Sequence, residues 1–273
     1  MTPAAPSTPT PQDPNTPRRP EVVVLGSGTS NGVPMLGVEY APEYLANPKN
    51  WRTRCSIIIL GPEGNVLVDC APELRLQMAR EGLTRIDDVI ITHTHADHIM
   101  GMDDLRSICM KTRRPMPIYA DEESQVNIRR IFPYAFLTDH PDGIEVPRFE
   151  FHSPGQSVSL CGMEVQILRV MHGPKTEVLA LRIGGFAYVT DVNAIPPREM
   201  ERLQGLDTLI LDAVRYRPHP NHYHFEAAME VARELGAKMT YFTHLSSDYD
   251  HDKTNAQMPA NIQLSYDGLR IAI

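Results

Sequence analysis

His93-Thr94-His95-Ala96-Asp97-His98 places four nitrogen and oxygen donors within six residues, directly after the apolar run Val89-Ile90-Ile91. Alternate side chains of an extended segment share a face, so His93 and His95 can grip one ion together. Asp97 and His98 follow where the chain turns and can reach a second. A histidine-rich loop can instead be merely solvated, and a lone imidazole is commonly a satisfied core residue, but this density of donors at a strand end points to metal. Imidazole with carboxylate suits Zn, Mn, Fe or Ni, and the lack of thiolate argues against a closed structural zinc site. The chemistry expected is therefore catalytic.

Two ions need more donors than one loop supplies, and loops at strand ends are where a scaffold displays functional side chains. Three apolar runs end on a suitable residue: Val165–Val170 leads into His172, Phe186–Thr190 into Asp191, and Met239–Thr243 into His244. Singly, Asp191 could cap a helix and either histidine could be a turn residue. Their matched placement assigns His93, His95 and His172 to one metal and Asp97, His98 and His244 to the other, with Asp191 as a bridging carboxylate.

The elements that must position these residues alternate between strands and helices. Strand-like runs occur at Val22–Leu25, Ser56–Leu60, Val66–Asp69 and Val89–Ile91, and again at Phe149–Phe151, Glu164–Val170, Val178–Ile183, Phe186–Thr190, Thr208–Leu211 and Met239–Phe242. Helical patterns cover Pro72–Arg80, Asp97–Met110 and Phe225–Leu235, the last stopped by Gly236. Two β-sheets packed face to face and covered outside by helices are expected, an α/β (α+β) four-layer αββα sandwich. No internal sequence repeat is visible, so any duplication is architectural only.

The chain has 273 residues, 42% of them hydrophobic, and no internal linker after the first twenty, which indicates one domain over 21–273. Residues 1–20, rich in Pro and Thr and without an apolar core segment, read as a disordered extension and not as a signal peptide. A formal charge of −8 counts against a nucleic-acid surface and leaves room for a small anionic substrate if bound divalent ions make the pocket positive. Cys55, Cys70, Cys109 and Cys161 are scattered without CxxC spacing, so reduced thiols in the cytoplasm and a core-filling role are expected. No membrane partner is expected, and a homodimer is the assembly to be considered.

His93-x-His95-x-Asp97-His98, followed in order by His172, Asp191 and His244, resembles the metallo-β-lactamase superfamily, whose fold is an αββα sandwich with a dinuclear site along one sheet edge. Gly26-Ser27-Gly28-Thr29-Ser30-Asn31-Gly32-Val33-Pro34, then Arg54-Cys55-Ser56, Asp69, Thr243-His244-Leu245-Ser246 and Ser265-Tyr266-Asp267-Gly268, resemble the PhnP-like phosphodiesterases. That subgroup hydrolyses cyclic phosphodiesters such as phosphoribosyl 1,2-cyclic phosphate. The chain departs from it where a Cys-rich knuckle would follow the glycine loop, since Gly37-Val38-Glu39-Tyr40 has no Cys, and where a further His would follow His244, since that position is Ser247. Both halves of a structural zinc site are missing together, so packing must hold the loop after Pro34.

The glycine loop misses GxGxxG spacing because position 31 is Asn, so a tight turn near the metals is a better reading than a dinucleotide site. The resemblance makes Asp69 a carboxylate that hydrogen-bonds a metal-binding histidine. It also makes His222 the residue that contacts a phosphoryl oxygen or protonates the leaving oxygen. His222, with His219 and His224, could alternatively form a solvated loop before the helix. Arg215, with Arg217 beside it, is a candidate for neutralising phosphate on the substrate side.

Together these readings predict a hydrolase holding two divalent ions, Mn2+ or Zn2+ with Fe or Ni as alternatives. Asp97 and His222 are the catalytic candidates, and a metal-bridging hydroxide is expected to attack a small, cyclic phosphodiester. Two alternatives share the superfamily. A tRNA 3′-processing nuclease needs a basic arm, and no Gly- and Lys-rich insertion is present. A PqqB-like metalloprotein would bind metal at the same place without esterase activity.

Overall fold

A computed structural model describes residues 19–137 and 145–273, so the expected N-terminal extension lies outside the described residues except for Arg19 and Pro20. In the first half of the chain, strands β1 (Glu21–Gly26), β2 (Ser56–Leu60), β3 (Asn65–Val68), β4 (Asp88–Ile90), β5 (Met116–Tyr119) and β6 (Phe149–His152) lie side by side in chain order. Helices α1 (Pro42–Ala46), α2 (Leu74–Arg80), α3 (Ala96–Ile99), α4 (Arg106–Thr112) and α5 (Glu122–Ile131) are set between them. The second half builds another sheet from β7 (Ser157–Leu160), β8 (Met163–Met171), β9 (Glu177–Ile183), β10 (Phe186–Val189), β11 (Thr208–Asp212), β12 (Met239–Thr243) and β13 (Ile262–Leu264). It carries α6 (Pro197–Arg202), α7 (Phe225–Leu235) and α8 (His251–Asn255). The last strand, β14 (Arg270–Ala272), returns to pair with β1.

Each sheet follows the same plan. In the first, the pairs from β14 through β1 and β2 to β3 are antiparallel, and those from β3 through β4 and β5 to β6 are parallel. In the second, β7 to β10 pair antiparallel and β10 to β13 pair parallel. The duplication that leaves no trace in the sequence is thus present in the topology.

Strand periodicity explains the layering, because side chains of period two divide between the two faces of a sheet. Val22, Val24, Ile57, Ile59, Val66, Val68 and Ile90 turn inward and meet Val165, Ile167, Leu179, Leu181, Phe186, Tyr188 and Ile210 of the facing sheet. The intervening Val23, Leu25, Ile58, Leu67 and Val89 turn outward under Leu74, Met78, Ile99, Leu105 and Cys109. On the far side, Val170, Val178, Val189, Leu209, Leu211 and Phe242 are covered by Ala228, Met229, Ala232 and Leu235 of α7. Strands buried on both faces read as continuous apolar runs, as these do. Fully burying each such side chain contributes about 1.5–3 kcal/mol, which makes the strands a stiff base for what their ends carry.

Several sequence expectations are revised. The helix expected over Asp97–Met110 is broken into α3, a 3-10 segment at Met100–Leu105, and α4. Gly101 sits there against the chain after β3: its N–H donates to the Cys70 carbonyl at 2.9 Å, and a Cβ would lie 2.0 Å from the Ala71 oxygen. The helix tightens to make that approach. The helix expected from Pro72 begins at Leu74, whose N–H reaches the Ala71 carbonyl, and α7 ends at Gly236 in the left-handed region as expected.

The loop after Pro34 is held by more than packing. Arg52, only 1% exposed, donates to the Tyr44 hydroxyl, the Asn50 side chain and the carbonyls of Ser246 and Tyr249. A buried guanidinium with five donors fastens this loop to the segment after His244. All four cysteines are free, with three buried and Cys161 half-buried. No helix among the described residues is long and apolar enough to cross a membrane.

Candidate metal centre

The two sheets bring their strand ends to one edge, where the expected donors meet. Asp69 follows β3, His93 to His98 follow β4, His172 follows β8, Asp191 follows β10, and His244 follows β12. Asp69, Asp191 and His244 all have left-handed backbones, with φ of 64°, 53° and 58°. Among the described residues only Arg113 and Cys161 share that conformation without being glycine. Sparsely populated backbone states concentrate where the chain must turn sharply to aim a side chain.

Two groups of four donors form. One is His93, His95, His172 and Asp191, and the other is Asp97, His98, Asp191 and His244, so Asp191 stands in both. His98 Nε2 lies 3.4 Å from Asp97 Oδ2 and 3.3 Å from Asp191 Oδ1, and His244 Nε2 lies 3.5 and 3.4 Å from the Oδ2 atoms of the same residues. Such separations match the edge of a tetrahedron whose centre is about 2.1 Å from each donor. In the other group, His172 Nε2 is 3.3 Å from His95 Nδ1, and His93 Nε2 is 3.9 Å from Asp191 Oδ2.

The donor atoms fit a pair of divalent ions. Nε2 of His93, His98 and His244 is buried in each case without a hydrogen-bond partner, a state that costs about 1–3 kcal/mol per group unless something else satisfies it. The far side of the His98, His172 and His93 rings is held, whereas His244 Nδ1 is buried without a hydrogen-bond partner. Asp69 Oδ2 accepts from His98 Nδ1 at 2.7 Å while its carboxylate also accepts from the Thr92 N–H and hydroxyl, both at 2.8 Å. The Asn221 carbonyl accepts from His172 Nδ1 at 2.8 Å, and the Thr92 hydroxyl lies 3.1 Å from His93 Nδ1. The Thr190 hydroxyl donates to Asp191 Oδ1 at 2.8 Å. Each bond fixes a tautomer or orientation that leaves a lone pair facing the centre.

The electrostatics divide the imidazoles. Burial disfavours the charged form of His98, but Asp191 and Asp69 outweigh it and hold its pKa well above the imidazole range. His244 is likewise buried, yet Asp191, Asp97 and Asp212 raise it to about 9. His93 goes the other way, pushed well below the usual value by burial and by neighbouring His98, and burial lowers His172 too.

Asp212, which the sequence reading passed over, completes the surroundings. It ends β11, is fully buried, and its Oδ2 accepts from His222 Nδ1 at 2.7 Å and from the Val192 N–H at 2.9 Å. Its Oδ1 faces His244 Nδ1 at 3.9 Å. Asp212, His222 and His244 are close enough to suggest a third ion, but a 2.7 Å contact between Asp212 and His222 is a charge-assisted hydrogen bond, shorter than two ligands of one ion would lie. The signal was available, since Leu209-Ile210-Leu211-Asp212 is one more apolar run ending on a carboxylate.

His222 stacks on His244 with ring centres 4.7 Å apart and meets His172 edge to face at 4.6 Å, so it lies beside both groups. Arg215, expected on the substrate side, spends Nε and Nη2 on the carbonyls of Arg217 and Pro218 and so braces the turn leading to His219. His224 caps the start of α7 without a side-chain bond. The glycine loop packs close to the centre: Gly28 bridges to both Arg54 and Leu245, and a Cβ on Gly26 would lie 1.9 Å from the Arg54 oxygen.

Comparisons with known proteins place the fold in a family. Residues 64–245 match the family model of the beta-lactamase superfamily domain. A crystal structure of a new diphosphatase from the PhnP family superposes with a TM-score of 0.85 at 39% identity, covering 93% of this chain and 97% of that one. An octanoyltransferase of Porphyromonas gingivalis is 33% identical over 92% of this chain, which spans only about half (51%) of that protein. A ribonuclease Z of Methanopyrus kandleri is 24% identical over 76% of this chain and 86% of its own length. On its sheet plan, its donor groups and these matches, the chain belongs to the metallo-β-lactamase superfamily, as a PhnP-like member.

Proposed function

We propose that the protein is a hydrolase with two divalent metal ions that cleaves a P–O bond in a small phosphoric ester, with a cyclic phosphodiester as the leading substrate class and a diphosphate as its nearest relative. The observation that carries this reading is the pair of donor groups sharing Asp191, with His222 beside both and backed by Asp212. Zn2+ or Mn2+ would be held by His93, His95, His172 and Asp191 on one side and by Asp97, His98, His244 and Asp191 on the other. Bound there, the ions would supply an acidified water as nucleophile and Lewis-acid stabilisation of charge on the phosphoryl oxygens.

The protein's own residues do the rest. Asp191 keeps the two groups in register, and Thr190 fixes its carboxylate. Asp212 accepts from His222 Nδ1 and so favours the ring as an imidazolium, whose Nε2–H passes its proton to the departing ester oxygen as the bond to phosphorus breaks. Breaking the P–O bond of a cyclic phosphodiester opens the ring, so phosphorus gains the water oxygen and the freed hydroxyl stays on the same product as the phosphomonoester. A diphosphate would follow the same course with phosphate as the leaving group, and the PhnP-family diphosphatase supports including it. The ribonuclease Z likeness supports the reaction type, while the net charge of −8 disfavours a polynucleotide.

The test is a screen of the metal-reconstituted protein against bis(p-nitrophenyl) phosphate, ribose 1,2-cyclic phosphate, 2′,3′- and 3′,5′-cyclic nucleotides, and nucleoside diphosphates. Turnover that needs metal and is lost in Asp191→Ala is expected. No cleavage of any of these by fully loaded protein would refute the reading, and cleavage of pre-tRNA with steep salt dependence would replace it with a nuclease.

A further inference from the structure

Four imidazoles run in a row across the open side of the centre. The ring centre of His95, which is exposed, lies 4.9 Å from that of His172, the His172 and His222 centres are 4.6 Å apart, and the His222 and His219 centres 4.8 Å apart, each pair edge to face. The first two sit in a donor group and the third is bonded to Asp212, so His219 is the outer end of the row and has no task in the mechanism above.

Its environment is built. The Asn221 N–H donates to His219 Nδ1 at 3.1 Å, which makes Nδ1 the acceptor and puts the ring proton on Nε2. Nε2 takes no hydrogen bond among the described residues. The turn that carries the ring is tied at four points: Arg215 holds the carbonyls of Arg217 and Pro218, Asn193 Nδ2 holds that of Pro220 at 2.9 Å, and His172 Nδ1 holds that of Asn221. The last tie runs directly from a residue of the metal centre. A half-buried ring with a fixed donor, one ring beyond His222 and beside the Arg215 guanidinium, is suited to an anionic oxygen.

We propose that His219 is a specificity-determining residue that donates from Nε2 to a second phosphoryl group, the one on the leaving side of the scissile P–O bond. This rests on the phosphoric-ester reading and deepens it, since of the two substrate classes named there it favours the diphosphate, which has a further phosphoryl group next to the reacting one, over the cyclic phosphodiester. His219 reaches that group because the row of rings leads away from the metals past His222, the residue that faces the departing oxygen.

The experiment measures binding as well as turnover. Calorimetry on the metal-saturated protein compares methylenediphosphonate, which carries two linked phosphoryl groups and cannot be hydrolysed, with methylphosphonate, which carries one. In the wild type, the diphosphonate is expected to bind the more tightly. His219→Leu keeps the bulk and removes the donor, and is expected to lower that preference about tenfold, the loss of one hydrogen bond to a charged oxygen. His219→Gln keeps an N–H donor and is expected to stay within about threefold of wild type. Absence of any preference in the wild type, a preference unchanged in His219→Leu, or an equal fall in both variants would overturn the proposal. Because both ligands are inert, a failure of the phosphoric-ester reading appears separately, as a loaded wild type that binds them but cleaves no ester.

Discussion

In the half of the centre formed by Asp97, His98 and His244, the imidazoles lean on buried carboxylates, Asp69 behind His98 and Asp212 behind His244. In the half formed by His93, His95 and His172, the supports are a hydroxyl and a backbone carbonyl, and His95 is open to solvent. The same negative field that raises the pKa of His98 and His244 favours a divalent cation between them, whereas at His93 burial and the neighbouring His98 outweigh the pull of Asp191. Similar side chains thus make one half an electrostatically favoured seat and leave the other with one exposed donor, His95.

The comparison can be broken first at the residue both halves share. Asp191→Ala should abolish loading of both ions, seen by metal analysis, and lower turnover by at least about a thousandfold with circular dichroism unchanged. Retention of one full equivalent of metal would show that the halves do not depend on a common carboxylate. Next comes Asp212→Asn, which keeps a hydrogen-bond acceptor for His222 but removes the charge; kcat is expected to fall about 100-fold with little change in KM.

Asp69→Asn acts first on the buried half, where loss of the carboxylate behind His98 should weaken one ion about 10–100-fold, with a smaller effect carried to His93 through Thr92. Calorimetric titration of the apoprotein would then show two sites brought closer in affinity, and an unchanged titration would remove Asp69 from the account. The smallest effect is expected in the unaltered protein. A chelator should withdraw the ions in two phases separated by about tenfold in affinity, and His95→Ala should speed only the first. A single phase would make the halves equivalent.

Much of this centre could be read in the chain before any fold was known, because ligand types and strand ends both have local signatures. The HxHxDH stretch after Val89-Ile90-Ile91 needs no tertiary information, and His172, Asp191 and His244 follow from asking which apolar runs end on a donor. Asp212 meets that criterion too, one residue past the expected strand Thr208–Leu211. Other elements left weaker marks. Strand β5 carries Pro117 between two other strands, which argues against a central strand in any local reading. Helix α5 buries only Ser124 and Ile128, so its apolar stripe is thin, although Asp121 caps it through the Ser124 N–H. Strands β13 and β14 have three residues each, too few to show a period. The Arg52 anchor joins segments nearly 200 positions apart, and nothing in the sequence pairs them.

The sequence by itself determined which donors exist and that each stands where a strand gives way to a turn, because strand periodicity and ligand chemistry are both properties of short segments. Only the tertiary structure decided which carboxylate backs which imidazole, that Asp212 serves His222 and His244 together, and that Arg215 braces a turn while His219 ends the row of rings. Those outcomes depend on two sheets packing face to face so that their strand ends share one edge. The approach of Asp191 to His98 at 3.3 Å and to His244 at 3.4 Å is set by how the sandwich closes, and no local pattern encodes that.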